Sequence, residues 1–154
     1  MPSNYIEPDL YKVILDSIPI PCVDISILHE GKILLVLRMD KPGEGEWWLP
    51  GGRVYKGEVM HDTAHRKALE EVGLDCHVGP IIHTAETIFP DGPNETKIHS
   101  INSCFFVFPK YMPISIKLDD HHTAYKWVTC VDKNLHPYVQ HCLLAAGLDY
   151  MTPM

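Results

Sequence analysis

No apolar run in this chain is long enough to span a bilayer, so no membrane role is expected. The start, MPSNYIEPDLYKV, lacks the basic opening and continuous apolar stretch of a secretory signal. Cysteine is sparse and unpatterned: Cys22, Cys76, Cys104, Cys130 and Cys142 are odd in number, widely spaced and form no C-x-x-C pair. They are expected to be reduced thiols in a cytoplasmic protein. Positive charge is also short, with 13 Lys and Arg against 20 Asp and Glu and a formal charge of −7. That balance argues against a large nucleic-acid footprint. A small anionic substrate is still allowed, because local arginines and a bound cation outweigh a global field. Repeats, low-complexity segments and linkers are lacking, so residues 1–154 are expected to form one domain. The 45% apolar share is enough for a core.

The elements follow from pattern and punctuation. Glu7 to Ser17 is predicted as a short helix with Leu10, Val13, Ile14 and Ser17 on one face, ended by Pro19 and Pro21. Val23 to Leu28 and Ile33 to Arg38 read as strands joined at His29-Glu30-Gly31-Lys32. Asp40 to Glu46 is a loop, and Trp47 to Leu49 a short strand. Gly51 and Gly52 suit a tight loop that lets backbone approach a phosphate. Val59 to Val72 is predicted as a helix with Ala64, Ala68 and Val72 facing the core, Leu69 beside them, and Gly73 as its stop. Ile81 to Phe89 and Ile98 to Phe108 are predicted strands around a turn at Pro90-Asp91-Gly92-Pro93-Asn94. Ile114 to Leu118 and Tyr125 to Thr129 are shorter ones, and Pro137 to Leu148 a closing helix. The class is α/β, a mixed sheet between helices.

The chemistry concentrates in GRVYKGEVMHDTAHRKALEEVGL, Gly52 to Leu74. Arg66 with Glu70, and Lys67 with Glu71, are one helical turn apart. Adjacent Glu70 and Glu71 are placed to reach a cation at the mouth of the Gly-Gly loop, the oxygen-rich setting that suits Mg2+. Read alone, the same pair also describes a solvated helix with two ion pairs.

Gly52, Glu58, Arg66, Glu70, Glu71, Gly73 and Leu74 stand at spacings that resemble the Nudix box, G-x5-E-x7-R-E-U-x-E-E-x-G-U, with U a bulky apolar residue. Lys67 stands where that pattern has glutamate, and Ala68 is small for its apolar slot. The resemblance implies an α/β/α sandwich and hydrolysis of a nucleoside diphosphate linked to another group, with Mg2+, or Mn2+ in its place. Flanking runs resemble the GDP-mannose mannosyl hydrolase branch: Ser17-Ile18-Pro19 to Asp24, Leu34-Leu35 to Arg38, Trp48 through Val54, and Asp119-Asp120-His121-His122 before Tyr125-Lys126-Trp127. That branch also lacks the box glutamate at the position of Lys67.

By position, the resemblance implies that the metal is bound by Glu71, with Glu70 available beside it, and by backbone of the loop at Gly51. It implies that Arg38, Arg53 and Arg66 neutralise the diphosphate, that Asp24 contacts the sugar or a nucleophilic water, and that His122 is the general base. Water would then attack the anomeric carbon and release GDP and sugar, from a homodimer. Three features depart from the branch: Glu70 is retained, Ile101 stands where the branch has a tyrosine, and a branch histidine near Glu86 or Thr87 has no counterpart. Glu70 with Glu71 looks more like Nudix enzymes that attack phosphorus. Without the resemblance, His121-His122 also reads as a surface turn, Arg66 as a brace of the loop, and Asp24 as a buried polar residue needing a partner. The first reading is a nucleotide-sugar hydrolase. A pyrophosphohydrolase of nucleoside triphosphates or other diphosphates, and a binding domain without turnover, are the rivals.

Overall fold

The computed structural model describes residues 4–93 and 96–152. Asn94, expected in a turn, lies outside them. The first helix, α1 (Pro8–Ser17), begins where the Glu7 side chain accepts the N–H groups of Asp9 and Leu10 at 3.2 Å. Pro8 suits the first helical position because its missing N–H would have no partner there. The buried face is carried by Leu15, with Tyr11 and Ile14 packed nearby. Leu10 and Val13, expected on that face, are exposed instead.

The strands are β1 (Ile20–His29), β2 (Lys32–Arg38), β3 (Trp47–Trp48), β4 (Gly51–Arg53), β5 (Cys76–Phe89), β6 (Ile98–Pro109) and β7 (His122–Val128). They form one sheet in the order β3-β2-β1-β6-β5, with β4 on β1 and β7 on β2. β1 runs parallel to β6, and the other pairings are antiparallel. The remaining helices, α2 (Met60–Val72) and α3 (Pro137–Ala145), bury their apolar sides against this mixed sheet. Alternation along β2 shows both layers at once: Leu34 and Val36 join the cluster under α2, while Ile33 and Leu35 join the one under α3. No helix among the described residues is long and apolar enough to cross a membrane.

Several predicted elements differ, each for a local reason. Leu69 is exposed, because only Ala64, Ala68 and Val72 point at the sheet. The segment 114–118, expected as a strand, belongs to no strand. Backbone at 117 and 119 instead caps α2, with Lys117 N–H donating to Val72 O at 2.9 Å and Asp119 N–H to Glu71 O at 3.1 Å. Ile114, Ile116 and Leu118 still pack on the α2 cluster, which explains their alternation. β5 begins at Cys76, ahead of the Gly79-Pro80 interruption, and absorbs it as register shifts between Val78 and His83. β7 begins at His122, so that histidine lies in a strand opposite Arg38. α3 ends at Ala145, short of Leu148, with Gly147 at φ 98° just beyond.

Gly51-Gly52 is not a free loop. The pair forms β4, with Asp24 opposite Gly51 and Val23 opposite Gly52. A Cβ at Gly51 would lie 2.3 Å from the Val23 carbonyl oxygen and 2.4 Å from Asp24 Oδ1. Gly31, at φ 75°, has open space around it and needs glycine only for its backbone. Gly51→Ala is therefore expected to cost about 3 kcal/mol of stability through overpacking. Gly31→Ala should cost about 1 kcal/mol through backbone strain alone. Urea unfolding of the two variants checks this; equal losses would contradict the packing account.

Candidate active site

The loop before α2 is fastened by Glu58 and Arg66. The Glu58 carboxylate accepts from Thr63 Oγ1 at 2.6 Å, Tyr55 N–H at 3.2 Å, and Arg66 Nε and Nη2 at 2.8 and 3.0 Å. Arg66 also donates to Glu70 at 3.1 Å and to the Arg53 carbonyl at 3.0 Å, and lies 3.7 Å over the Tyr55 ring. Bonding to Arg66 holds the Glu58 carboxyl down at about 2. Arg66, expected at a diphosphate, is thus committed to the loop itself and does not line the pocket described below. Glu70, expected to bind metal, has a half-exposed carboxylate directed at Arg66 and Lys67.

Glu71 lies on the opposite edge of the turn and is buried. Its carboxylate is 3.0 Å from Lys67 Nζ, 3.5 Å from His122 Nε2 and 3.4 Å from the Gly51 N–H. The Gly51 contacts are long for hydrogen bonds, and the charge is met chiefly by Lys67. Burial pushes the Glu71 carboxyl up, while Lys67 and His122 pull it down. His122 Nδ1 in turn bonds Asp119 Oδ1 at 2.7 Å. The two histidines part at the start of β7: His122 is buried in the strand, and His121, in the turn before it, meets Asp40 at the surface.

Glu71, Asp119 and His122 bring two carboxylate oxygens and an imidazole nitrogen within 4.8 Å of one another. The two carboxylates fit Mg2+ or Mn2+, whereas the imidazole nitrogen is a donor that Mg2+ takes less readily than oxygen. The Lys67 ammonium already beside Glu71 marks the same place as one that attracts positive charge.

On the other side of Gly51 is a cavity of about 230 Å3. Asp24, Gly51, Arg38 and Arg53 all line it, together with apolar walls from Leu15, Ile20, Phe89 and Ile98. Asp24 is buried, and its Oδ2 accepts from Asn102 Nδ2 and Tyr138 O–H, both at 2.8 Å. Those donors are neutral, and burial raises the Asp24 carboxyl from 3.8 to about 6. Arg38 Nε donates to the Pro42 carbonyl at 2.7 Å, and Arg53 Nη2 to the Asn4 carbonyl at 2.9 Å. These bonds go to carbonyls rather than carboxylates, which leaves both positive charges available to an anion.

The structure therefore gathers Asp24, Arg38, Arg53 and Gly51 at one cavity, and Glu71 with His122 beside it. Sequence reasoning gave no role to Asn102 or Tyr138, and none to Asp119 as the partner of His122. Asp119 stands three residues before His122 and could have been found by that spacing. The other two reach Asp24 across 78 and 114 residues, and no local pattern encodes them.

The NUDIX domain family model matches residues 19–141. This chain belongs to the Nudix family. The low-salt glycan biosynthesis protein Agl8 of Haloferax volcanii is 30% identical over 146 residues, covering 92% of this chain and 91% of that protein. An ADP-ribose pyrophosphatase of Methanocaldococcus jannaschii is 41% identical over 66 residues, 43% of this chain and 39% of that protein. The fold is that of the MutT Nudix hydrolase from Burkholderia pseudomallei, with a TM-score of 0.69 at 22% identity over 84% of this chain and 98% of that one. The MutT protein of Methanosarcina mazei Go1 gives 0.65 at 24% identity, covering 84% and 95%. The chain is thus a Nudix hydrolase by family, a class that uses divalent metals and small nucleotide substrates.

Asp24 yields a sign-defined test. Its folded pKa is about 6 against an ordinary 3.8, so the folded state holds the proton longer. Stability therefore falls as pH rises from about 4 to 6, by roughly 3 kcal/mol in all. In the Asp24→Asn variant the carboxamide oxygen can accept the same two hydrogen bonds, and the group carries no charge. The variant should be more stable than the natural chain at pH 8 by up to roughly 3 kcal/mol, with the gap closing at pH 4. Unfolding in EDTA at both pH values checks it; a gap that widens toward acid would contradict the assignment.

Proposed function

We propose that this Nudix hydrolase acts on a nucleotide sugar of the GDP-mannose or GDP-glucose type, with water attacking the anomeric carbon to release GDP and sugar. The observation that carries the reading is His122, held by Asp119 at Nδ1 and facing the Glu71 carboxylate, one peptide from the cavity that contains Asp24. With the proton on Nδ1 facing Asp119, Nε2 keeps its lone pair and can accept a proton from water. Arg38 and Arg53 at the cavity wall bind the diphosphate, and Asp24 faces the sugar. A divalent cation held by Glu71 and its neighbours supplies charge neutralisation for the departing diphosphate. Similarity to a protein of glycan biosynthesis along nearly the whole chain supports a sugar-linked substrate. The same reading includes a homodimer and a reducing, cytoplasmic setting, in keeping with five unpaired cysteines.

A second reading, attack at phosphorus, is favoured by the retained Glu70 and by the similarity to an ADP-ribose pyrophosphatase over 66 residues. Hydrolysis in 18O-labelled water separates the two. Carbon attack places the label on the sugar and none on GDP. Label on a nucleoside monophosphate or a sugar phosphate would move the chain to the pyrophosphohydrolases.

Two substitutions test the assigned roles. Glu71→Gln should lower turnover at least about 100-fold, as for a lost electrostatic stabiliser, and weaken Mn2+ binding in a folded protein. Near-natural turnover at saturating Mg2+ would rule out the ligand role. His122→Ala should cost about 100- to 10,000-fold, the range for a general base, with Mn2+ affinity largely kept. Loss of Mn2+ binding in parallel would make His122 a metal ligand and not the base.

A further inference from the structure

A chain of buried polar side chains lies along the cavity floor. Thr87 of β5 and Ser100 of β6 sit opposite each other, their hydroxyls 2.8 Å apart. Both also reach Asn102 Oδ1, at 3.3 and 2.8 Å. Asn102 Nδ2 then donates to Asp24 Oδ2. However the two hydroxyl protons are shared, both are used inside the chain. The floor thus offers the cavity mainly acceptor lone pairs, including Asp24 Oδ1.

We propose that this floor is a sugar subsite, in which Asp24 Oδ1 and the Thr87 and Ser100 oxygens accept from hydroxyls of the sugar and Asn102 is the residue that positions Asp24. The inference rests on the nucleotide-sugar reading and deepens it. Location supports it first. Gly51 lines the cavity while its N–H faces Glu71, so a group on the floor is one peptide from the carboxylate that would hold the cation and shares its cavity with Arg38 and Arg53. Size supports it next. About 230 Å3 falls below the roughly 300–1,000 Å3 that encloses a drug-sized ligand. The cavity therefore takes one end of a nucleotide sugar and leaves the nucleoside outside. Chemistry decides which end. Sugar hydroxyls are donors that match an acceptor floor, and the aliphatic walls of Leu15, Ile20 and Ile98 suit the C–H faces of a sugar ring. A floor whose oxygens have their own protons fixed discriminates between epimers, because a hydroxyl turned away leaves a buried acceptor unpaired.

The test compares GDP-mannose, GDP-glucose and GDP on the natural chain and on Thr87→Val, Ser100→Ala and Asn102→Leu. Thermal unfolding identifies any variant that fails to fold, and the first two change least. The ratio of kcat/KM between the two sugars should shift about tenfold in Thr87→Val or Ser100→Ala, the scale of one hydrogen bond. The inhibition constant of GDP should stay within about twofold. Asn102→Leu should lower kcat more than it raises the KM, and Asn102→Gln should recover part of the loss. An unchanged sugar ratio, or GDP affinity falling as far as sugar affinity, overturns the subsite. Calorimetry gives a readout independent of turnover. If GDP-mannose binds the natural chain no more tightly than GDP, the subsite is wrong. If the sugar adds affinity that the variants lose, the subsite stands even where 18O label appears on phosphorus and the carbon-attack reading fails.

Discussion

The buried charge of Glu71 is the constraint on which the rest of the site depends. A carboxylate removed from water is tolerated only with partners that replace the lost solvation. Here those partners come from three elements: Lys67 from α2 itself, His122 from β7, and the Gly51 amide from β4. None can move independently without leaving the carboxylate short of a partner. The demand reaches further back. The Lys67 stem lies where a side chain at Gly52 would be, with Lys67 Cε 2.8 Å from such a Cβ. Gly51 is barred from carrying a side chain by Val23 and Asp24. The two glycines therefore let an ion pair and a second buried carboxylate pack against one strand of three residues.

Asp24 is held differently, and the contrast defines the chemistry. Glu71 has a lysine and a histidine; Asp24 has an amide and a phenol. Burial raises both carboxyls; the Lys67 ammonium is the chief opposing charge at Glu71, whereas Asp24 is met chiefly by neutral donors and the Glu71 charge adds to its shift. The same burial is thus opposed by a full charge at one carboxylate and mainly by hydrogen bonds at the other. Alternation along β1 makes this placement available. Val23, Ile25 and Ile27 fill the core under α2, so Asp24 between them points to the α3 side, where Tyr138 lies.

Legibility in the sequence followed the range of the interaction. The i to i+4 pairs Arg66–Glu70 and Lys67–Glu71 were readable from spacing and are formed. The Ala64, Ala68, Val72 stripe and the Gly73 stop were equally local. The α/β class and the mixed sheet followed from the same patterns. Segment 114–118 misled because alternation reports burial, not the hydrogen-bond partner; backbone at 117 and 119 found the open end of α2. The Gly-Gly strand was missed because glycine carries no strand signal, although a lack of Cβ is what the pairing with β1 requires. Asn102 and Tyr138 were beyond reach altogether. A polar residue in an apolar strand announces that it has a partner without saying which.

Lys67 and Glu70 act as a pair. Replacing a box glutamate by lysine removes one negative charge and adds a positive one. The side chains at the five ionisable positions that the box pattern fixes, Glu58, Arg66, Lys67, Glu70 and Glu71, carry a net −1, where glutamate at position 67 would give −3. At −1 a single bound dication would exceed the local charge, and the Lys67 ammonium would repel a second. Glu70 fits this balance, because its carboxylate meets Arg66 and Lys67 on the solvent side rather than pointing at Glu71. Its Oε2 is 3.4 Å from Lys67 Nζ, so the ammonium has two carboxylate partners, Glu71 at 3.0 Å being the nearer. Glu70, which the box shares, thereby has a use beside Lys67 that does not require phosphorus attack, and it meets the charge that the departure at Lys67 introduces.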